Sequence, residues 1–291
     1  MMLALAEQVF NGVMLGAIYV LVALGLMLVY GVLRVLNFAH GALVMLGGYL
    51  CQFVFAHVVA SYPVAIAGSI VALLPVGWVL ERGVFAPLRG DLQNQVIASL
   101  GLVLVIENLV LVVWGPAALQ FRLATTQLLV PLGPLRFSLQ QVLVIGVGLA
   151  CVAVLFAFLN FTKFGTAVRA TAQHPGAALV VGIDVGRVHA VTFAIGTALA
   201  AMAGSLLGPL FLVFPQMGDG PLLKGLAAII LGGLGSVWGA VIGGFAIGIV
   251  EAVSTLVVPT DYRDAVAFIV IAAVLLLRPR GLFGRATRYE A

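Results

Sequence analysis

The sequence predicts an all-α, polytopic transmembrane helix bundle. Three observations carry this. Apolar residues make up 63% of 291 positions and charged residues 8%, against about 45–50% and 25% in soluble domains. The mean hydropathy is +1.24. The apolar runs are continuous and about 20 residues long, the length a helix needs to cross a bilayer. In lipid every backbone polar group must be paired internally, so the choice is between helices and a closed barrel. A barrel needs alternating strands of ~10 residues, and these runs do not alternate.

The elements follow in chain order. The run from Gln8 to Leu33 carries no charge and is long enough to span with tilt. It lacks a basic leader, so a retained span is expected rather than a cleaved signal peptide. Further spans are read at 36–57, 62–80, 94–114, 139–160, 189–213 and 263–278. Pro63 suits a helix start, where its missing N–H costs nothing. The connection 115–138, with Pro116, Pro131, Gly133 and Pro134, reads as irregular. Region 222–258 is apolar but interrupted by glycine, and two ordinary spans would need about 40 apolar residues. It reads as a re-entrant or broken-helix pair, split at Gly232-Gly233-Leu234-Gly235-Ser236. Irregular backbone at membrane depth belongs in protein or beside water, which puts this break near a transport path. The competing reading is close helix packing through Gly239, Gly243 and Gly244.

Charge gives the expected orientation. With the N-terminus outside, Arg34, Arg82, Arg89, Lys163, Arg169, Arg187, Arg278, Arg280, Arg285 and Arg288 fall inside. Arg122, Arg136, Lys224 and Arg263 fall outside, so ten of the fourteen basic residues are cytoplasmic. The C-terminus is then cytoplasmic as well. The chain reads as one membrane domain over 1–291, with 161–188 a cytoplasmic loop inside it.

Chemistry-bearing motifs are sparse. The chain has neither the phosphate-binding GxxxxGK[ST] nor a GxGxxG following a strand. Cys51 and Cys151 lie in separate apolar runs, read as small buried hydrophobes, and the four histidines have no metal-ligand spacing. No enzyme is expected. Asn37 and His40 interrupt the apolar pattern at Arg34–Gly41, as a helix break or a short turn. Glu107 lies inside a span and must face the bundle interior or water, as helix glue or as a substrate contact. Glu251 reads as a helix-end residue near the outer interface. In 161–188, a basic small-residue helix from Gly165 to Ala172 precedes Pro175, which starts a second short helix ending at Gly182. Such a helix is either a docking element or an ordinary interfacial one.

Three blocks carry a family resemblance: GLMLVYGVLRVLNFAHGALVMLGGYL, FGTAVRATAQHPGAALVVGIDVGRVHAVTFAIGTALAAMAG and GLAAIILGGLGSVWGAVIGGFAIGIVE. Together, in order and at the right spacing, they resemble the LivH-type permease subunits of branched-chain amino-acid ABC importers. The resemblance implies a bacterial inner-membrane subunit paired with a second, LivM-like permease. It also implies two cytoplasmic ATPase subunits that bind the ATP, and a periplasmic substrate-binding protein. This chain would itself bind no cofactor. Segment 161–188 would hold the coupling helix, with Gly165, Arg169, Ala170, Ala178, Gly182 and Ile183 matching that loop. Asn37, His40, Glu107, Gly233, Gly235 and Ser236 are the candidate path residues. Urea and short-amide permeases of the same family are similar, so those substrates stay open. A stand-alone channel or secondary transporter is the remaining alternative, though such transporters more often carry several buried ionisable groups or ion-coordinating broken helices.

Overall fold

A computed structural model describes residues 1–121, 123–132, 135–259, 262–278 and 281–282. The axis of the fold is α1 (Met2–Leu33), a helix apolar all round and buried from Met14 to Val29. A helix without a polar face has to be enclosed. The chain then forms α2 (Ala39–His57), α3 (Tyr62–Leu80, continuing as a π turn over Glu81–Phe85), α4 (Leu92–Trp114) and α6 (Leu139–Phe161), of which α6 packs along α1 and α3 and α4 lie further out. After α6 come two short helices, α7 (Lys163–Gln173) and α8 (Pro175–Val180), then α9 (Val185–Leu207), α10 (Asp219–Gly232), α11 (Val237–Ser254) and α12 (Arg263–Leu277). A one-turn α5 (Ala124–Gln127) and two strands, β1 (Leu129–Leu132) and β2 (Leu135–Ser138), lie before α6.

Glycines set the closest helix contacts, because association in lipid depends on tight backbone approach. A Cβ on Gly248 would lie 2.4 Å from the Gly16 nitrogen, and one on Gly244 2.6 Å from Val20, which brings α11 against α1. Gly196 of α9 and Gly25 of α1 meet in the same way. The outer helices differ: α3, α4 and α6 leave most of their apolar surface uncovered.

Seven described helices are long and apolar enough to cross a membrane. That number agrees with the sequence reading, but the seventh member differs. It is α11, with 18 residues, whereas α12 has 15. At ~1.5 Å per residue α11 spans about 27 Å, close to the ~30 Å of a hydrocarbon core. The break is where the sequence put it: Gly233 and Gly235 take φ of 99° and 86°, and Ser236 caps α11 by accepting from Gly239 N at 3.1 Å. It does not lie halfway along the bundle. α10 and α11 form an antiparallel hairpin, and Leu282 N donates to Leu231 O at 2.8 Å beside the turn. The tip of the turn is exposed, with Leu234 and Gly235 both at the surface. The glycines beyond it serve close packing, Gly239 against Gly232 and Gly243 against Ala228.

The segment read as irregular contains a small antiparallel sheet, with Val130 opposite Phe137. Pairing satisfies the backbone groups that an irregular loop would leave to solvent. Phe137 is buried and stacks on Phe10 at 3.7 Å. The span read as 189–213 runs instead from Val185 to Leu207, because Asp184 caps its start and Gly208-Pro209 follows its end.

Loops gather at the two ends of the bundle. Arg34 donates to Ala172 O at 3.0 Å, joining the α1 end to α7. The opposite end holds the Leu119–Val213 bridge and the Gln141–Asn11 hydrogen bond of 3.0 Å.

Candidate functional site

Two regions bring chemistry together. The first is the α7–α8 elbow. Thr162 caps α7 by accepting from Gly165 N at 2.9 Å. Gly165 lies so close to α6 that a Cβ would fall 2.2 Å from Phe158 O. Arg169 donates to Leu159 O and to Asn160 Oδ1, fastening α7 under the end of α6. Ala170 O accepts from His174 N at 3.0 Å, ending α7, and His174 Nδ1 accepts from Ala177 N at 3.1 Å, starting α8. The end of α8 is a complete Schellman motif. Gly182 N donates to Leu179 O, and Ile183 N to Ala178 O, each at 3.0 Å. Gly182 has φ 83°, which a side chain on an L-residue disfavours. Ala178 is buried.

The six residues matched to the coupling loop therefore shape the elbow. The surface it offers is Leu179, Val180 and Val181, which are 60%, 88% and 74% exposed. The sequence reading did not single these out. Their signal was an apolar triplet just before a helix-stopping glycine in an otherwise polar loop.

The candidate path residues do not form one site. Asn37 and His40 are buried together at the start of α2. Asn37 Oδ1 accepts from Ala39 N at 3.1 Å, and the His40 ring packs against Gly25, where a Cβ would come within 2.7 Å. Asn37 Nδ2 and His40 Nε2 have no hydrogen-bond partner among the described residues. Glu107 is half-buried on α4, which packs on α2 and the π turn. Gly233, Gly235 and Ser236 form the α10–α11 turn.

The second region was missed by sequence reasoning. Glu251 is 1% exposed and accepts from Lys224 Nζ at 2.7 Å and from the Tyr19 hydroxyl at 2.9 Å. Lys224 also reaches Asp264 Oδ1 at 2.9 Å, and Arg263 Nε approaches Glu251 at 3.5 Å. Two cations and two anions thus tie α1, α10, α11 and α12 together. Beside them is a cavity of about 180 Å³, lined by Glu251, Arg263, Thr255, Met14, Leu15 and Phe211 among others. Glu251 is therefore a buried, paired charge, not a simple helix-end residue.

With this geometry in place, comparison with known proteins is informative. The chain matches the family model described as branched-chain amino acid transport system / permease component over residues 8–275. It is 36% identical to the high-affinity branched-chain amino acid transport system permease protein LivH of Salmonella typhimurium, covering 96% of this chain and 95% of that one. It is 32% identical, with the same coverage, to BraD of Pseudomonas aeruginosa, which carries the same description. A probable branched-chain amino acid transport permease of Methanocaldococcus jannaschii is 30% identical, covering 91% of this chain and 88% of that one. Among solved structures, PsaBC from Streptococcus pneumoniae in complex with a Fab aligns with a TM-score of 0.54 at 13% identity, over 96% of this chain and 97% of that one, which speaks to the fold alone. A multi-pass bundle matched along nearly its whole length in this way is a transporter component, and the chain belongs to the branched-chain amino acid permease family.

Proposed function

We propose that this chain is a translocating subunit of an inner-membrane ABC importer for aliphatic, branched-chain amino acids. It works with a second permease subunit, two cytoplasmic ATPases that hold the ATP, and a periplasmic binding protein that delivers substrate. The α8 helix is the observation that carries this reading. An apolar knob 88% exposed at Val180, on an elbow fastened to the bundle by Arg169 and Arg34, suits a groove on a soluble partner. Force applied there passes through α7 into α6 and α1. The similarity to LivH and BraD along 96% of the chain supports the substrate class.

Val180→Asp tests the coupling. An apolar anchor at an interface centre contributes about 2 kcal/mol, roughly thirtyfold in docking. The variant is expected to insert normally but to lose co-purification of the ATPases and ATP-driven uptake. Gly182→Arg should do the same by straining the φ 83° position. Wild-type uptake in both variants would overturn the assignment. Uptake that persists without the ATPases and collapses with an uncoupler would favour a secondary transporter.

Orientation is proposed with the N-terminus outside and the C-terminus cytoplasmic. In intact cells, cysteine placed at Ser236 should resist a membrane-impermeant thiol reagent. In inverted vesicles it should react. The opposite pattern reverses the topology.

A further inference from the structure

The cavity beside the buried charges has the composition of a small amphipathic binding site. At about 180 Å³ it is smaller than the ~300–1,000 Å³ of drug-sized pockets. One part of the lining is apolar, formed by Met14, Leu15, Ala252 and Phe211, with two amide residues, Gln8 and Asn11, beside it. Another part carries a carboxylate, Glu251, a guanidinium, Arg263, and the Thr255 hydroxyl. The two charged groups sit 3.5 Å apart.

Glu251 does not swing freely. Lys224 and Tyr19 each hold one of its oxygens, at 2.7 and 2.9 Å. A carboxylate oxygen has two acceptor sites, so each can take a further donor. Lys224 is also held by Asp264 at 2.9 Å, so the Glu251 charge is fixed before any ligand arrives. Among the described residues charge in the cluster is balanced, Lys224 and Arg263 against Glu251 and Asp264. A ligand with one positive and one negative end enters without disturbing that balance, whereas a net charge leaves one ion uncompensated at a half-buried site.

We propose that this cavity is a low-affinity binding site for a zwitterionic α-amino acid with an aliphatic side chain. The ligand's ammonium donates to Glu251, and its carboxylate accepts from Arg263 and Thr255. Its side chain lies against Met14, Leu15 and Phe211. The site rests on the amino-acid reading above and deepens it, because urea and short amides lack both charged ends and gain nothing from the pair.

Photo-crosslinking tests the proposal on the complex reconstituted with its partner subunits. The probe is a diazirine analogue of leucine at millimolar concentration, with labelled residues mapped by mass spectrometry. Label is expected on Met14, Leu15 or Phe211, competed by leucine and not by acetamide. Losing a charge-assisted hydrogen bond lowers occupancy about tenfold, so Arg263→Gln should reduce the label by that factor and Arg263→Lys should restore it. Phe211→Trp, which crowds the apolar wall from its exposed side, should displace the label even if Arg263→Gln fails to assemble. Leucine uptake with no label at these residues, or label unchanged in Arg263→Gln and Phe211→Trp, overturns the site but leaves the amino-acid reading standing. Uptake of urea or acetamide in place of leucine overturns both.

Discussion

Lys224→Met is expected to destabilise the bundle by about 3–5 kcal/mol. The reason is what the substitution leaves behind. Glu251 is 1% exposed, and without Lys224 it keeps only the Tyr19 hydroxyl at 2.9 Å and the more distant Arg263 at 3.5 Å. Asp264 loses its 2.9 Å partner in the same step. Two anions then face one cation where two had faced two. Glu251→Leu should cost less, because Lys224 still has Asp264, which is 55% exposed and partly solvated. The double variant Lys224→Met/Glu251→Leu should recover most of the loss, since an apolar pair of similar volume often equals or exceeds a buried ion pair in stability. Thermal unfolding of the four proteins in detergent, followed by size-exclusion, completes the cycle. Additive losses in the double variant would show that the pair is not coupled. A stable double variant that no longer takes the leucine label would separate the role of Glu251 in binding from its role in holding helices together.

The same pair shows where sequence reading stops. Six of the seven spans were legible because hydropathy alone marks them, and the elbow was legible because Pro175 and Gly182 punctuate it. The break at Gly233–Ser236 was legible from its glycines. Its depth was not, because depth depends on which helices lie alongside, and Gly244 meeting Val20 and Gly248 meeting Gly16 are tertiary facts. Lys224 and Glu251 are 27 positions apart, on opposite arms of a hairpin whose register follows from Gly232 meeting Gly239. Taken separately, each read as an interfacial charge. A signal existed: between positions 222 and 258 the only charged residues are one lysine and one glutamate, one in each arm of the hairpin. Glu107 misled in the opposite direction. An acid within an apolar run points to the interior, yet α4 is peripheral and the residue is only half-buried. The candidate path residues chosen by polarity therefore scatter, while Met14, Leu15 and Phe211, which carry no sequence signal, line the cavity.

Gly204→Leu is expected to abolish assembly of the membrane domain. Even a single added carbon at Gly204 would lie 1.8 Å from Val44 O and 2.9 Å from Gly48 N, both backbone atoms that cannot rotate away. α2 and α9 would have to separate along their whole shared face. That face includes Gly47 against Ala201, where a Cβ would come 2.5 Å from the Cα, and the Ser205 hydroxyl, which reaches Gly47 O at 3.4 Å. Overpacking a relaxed core costs about 1–3 kcal/mol, and contact with rigid backbone on both helices puts this site at or above the upper end. Association in lipid has no hydrophobic gain to offset the loss, because lipid tails solvate a separated helix as well as a protein interior does. Gly31→Leu is the control: it is also on a buried helix, yet no atom lies within 4 Å of its added Cβ. Its effect should stay near the ~1 kcal/mol scale of helix propensity and favour the helix. Yield of folded, detergent-stable protein for the two variants decides the matter. Equal yields would mean that α2 and α9 do not depend on the contact at Gly204.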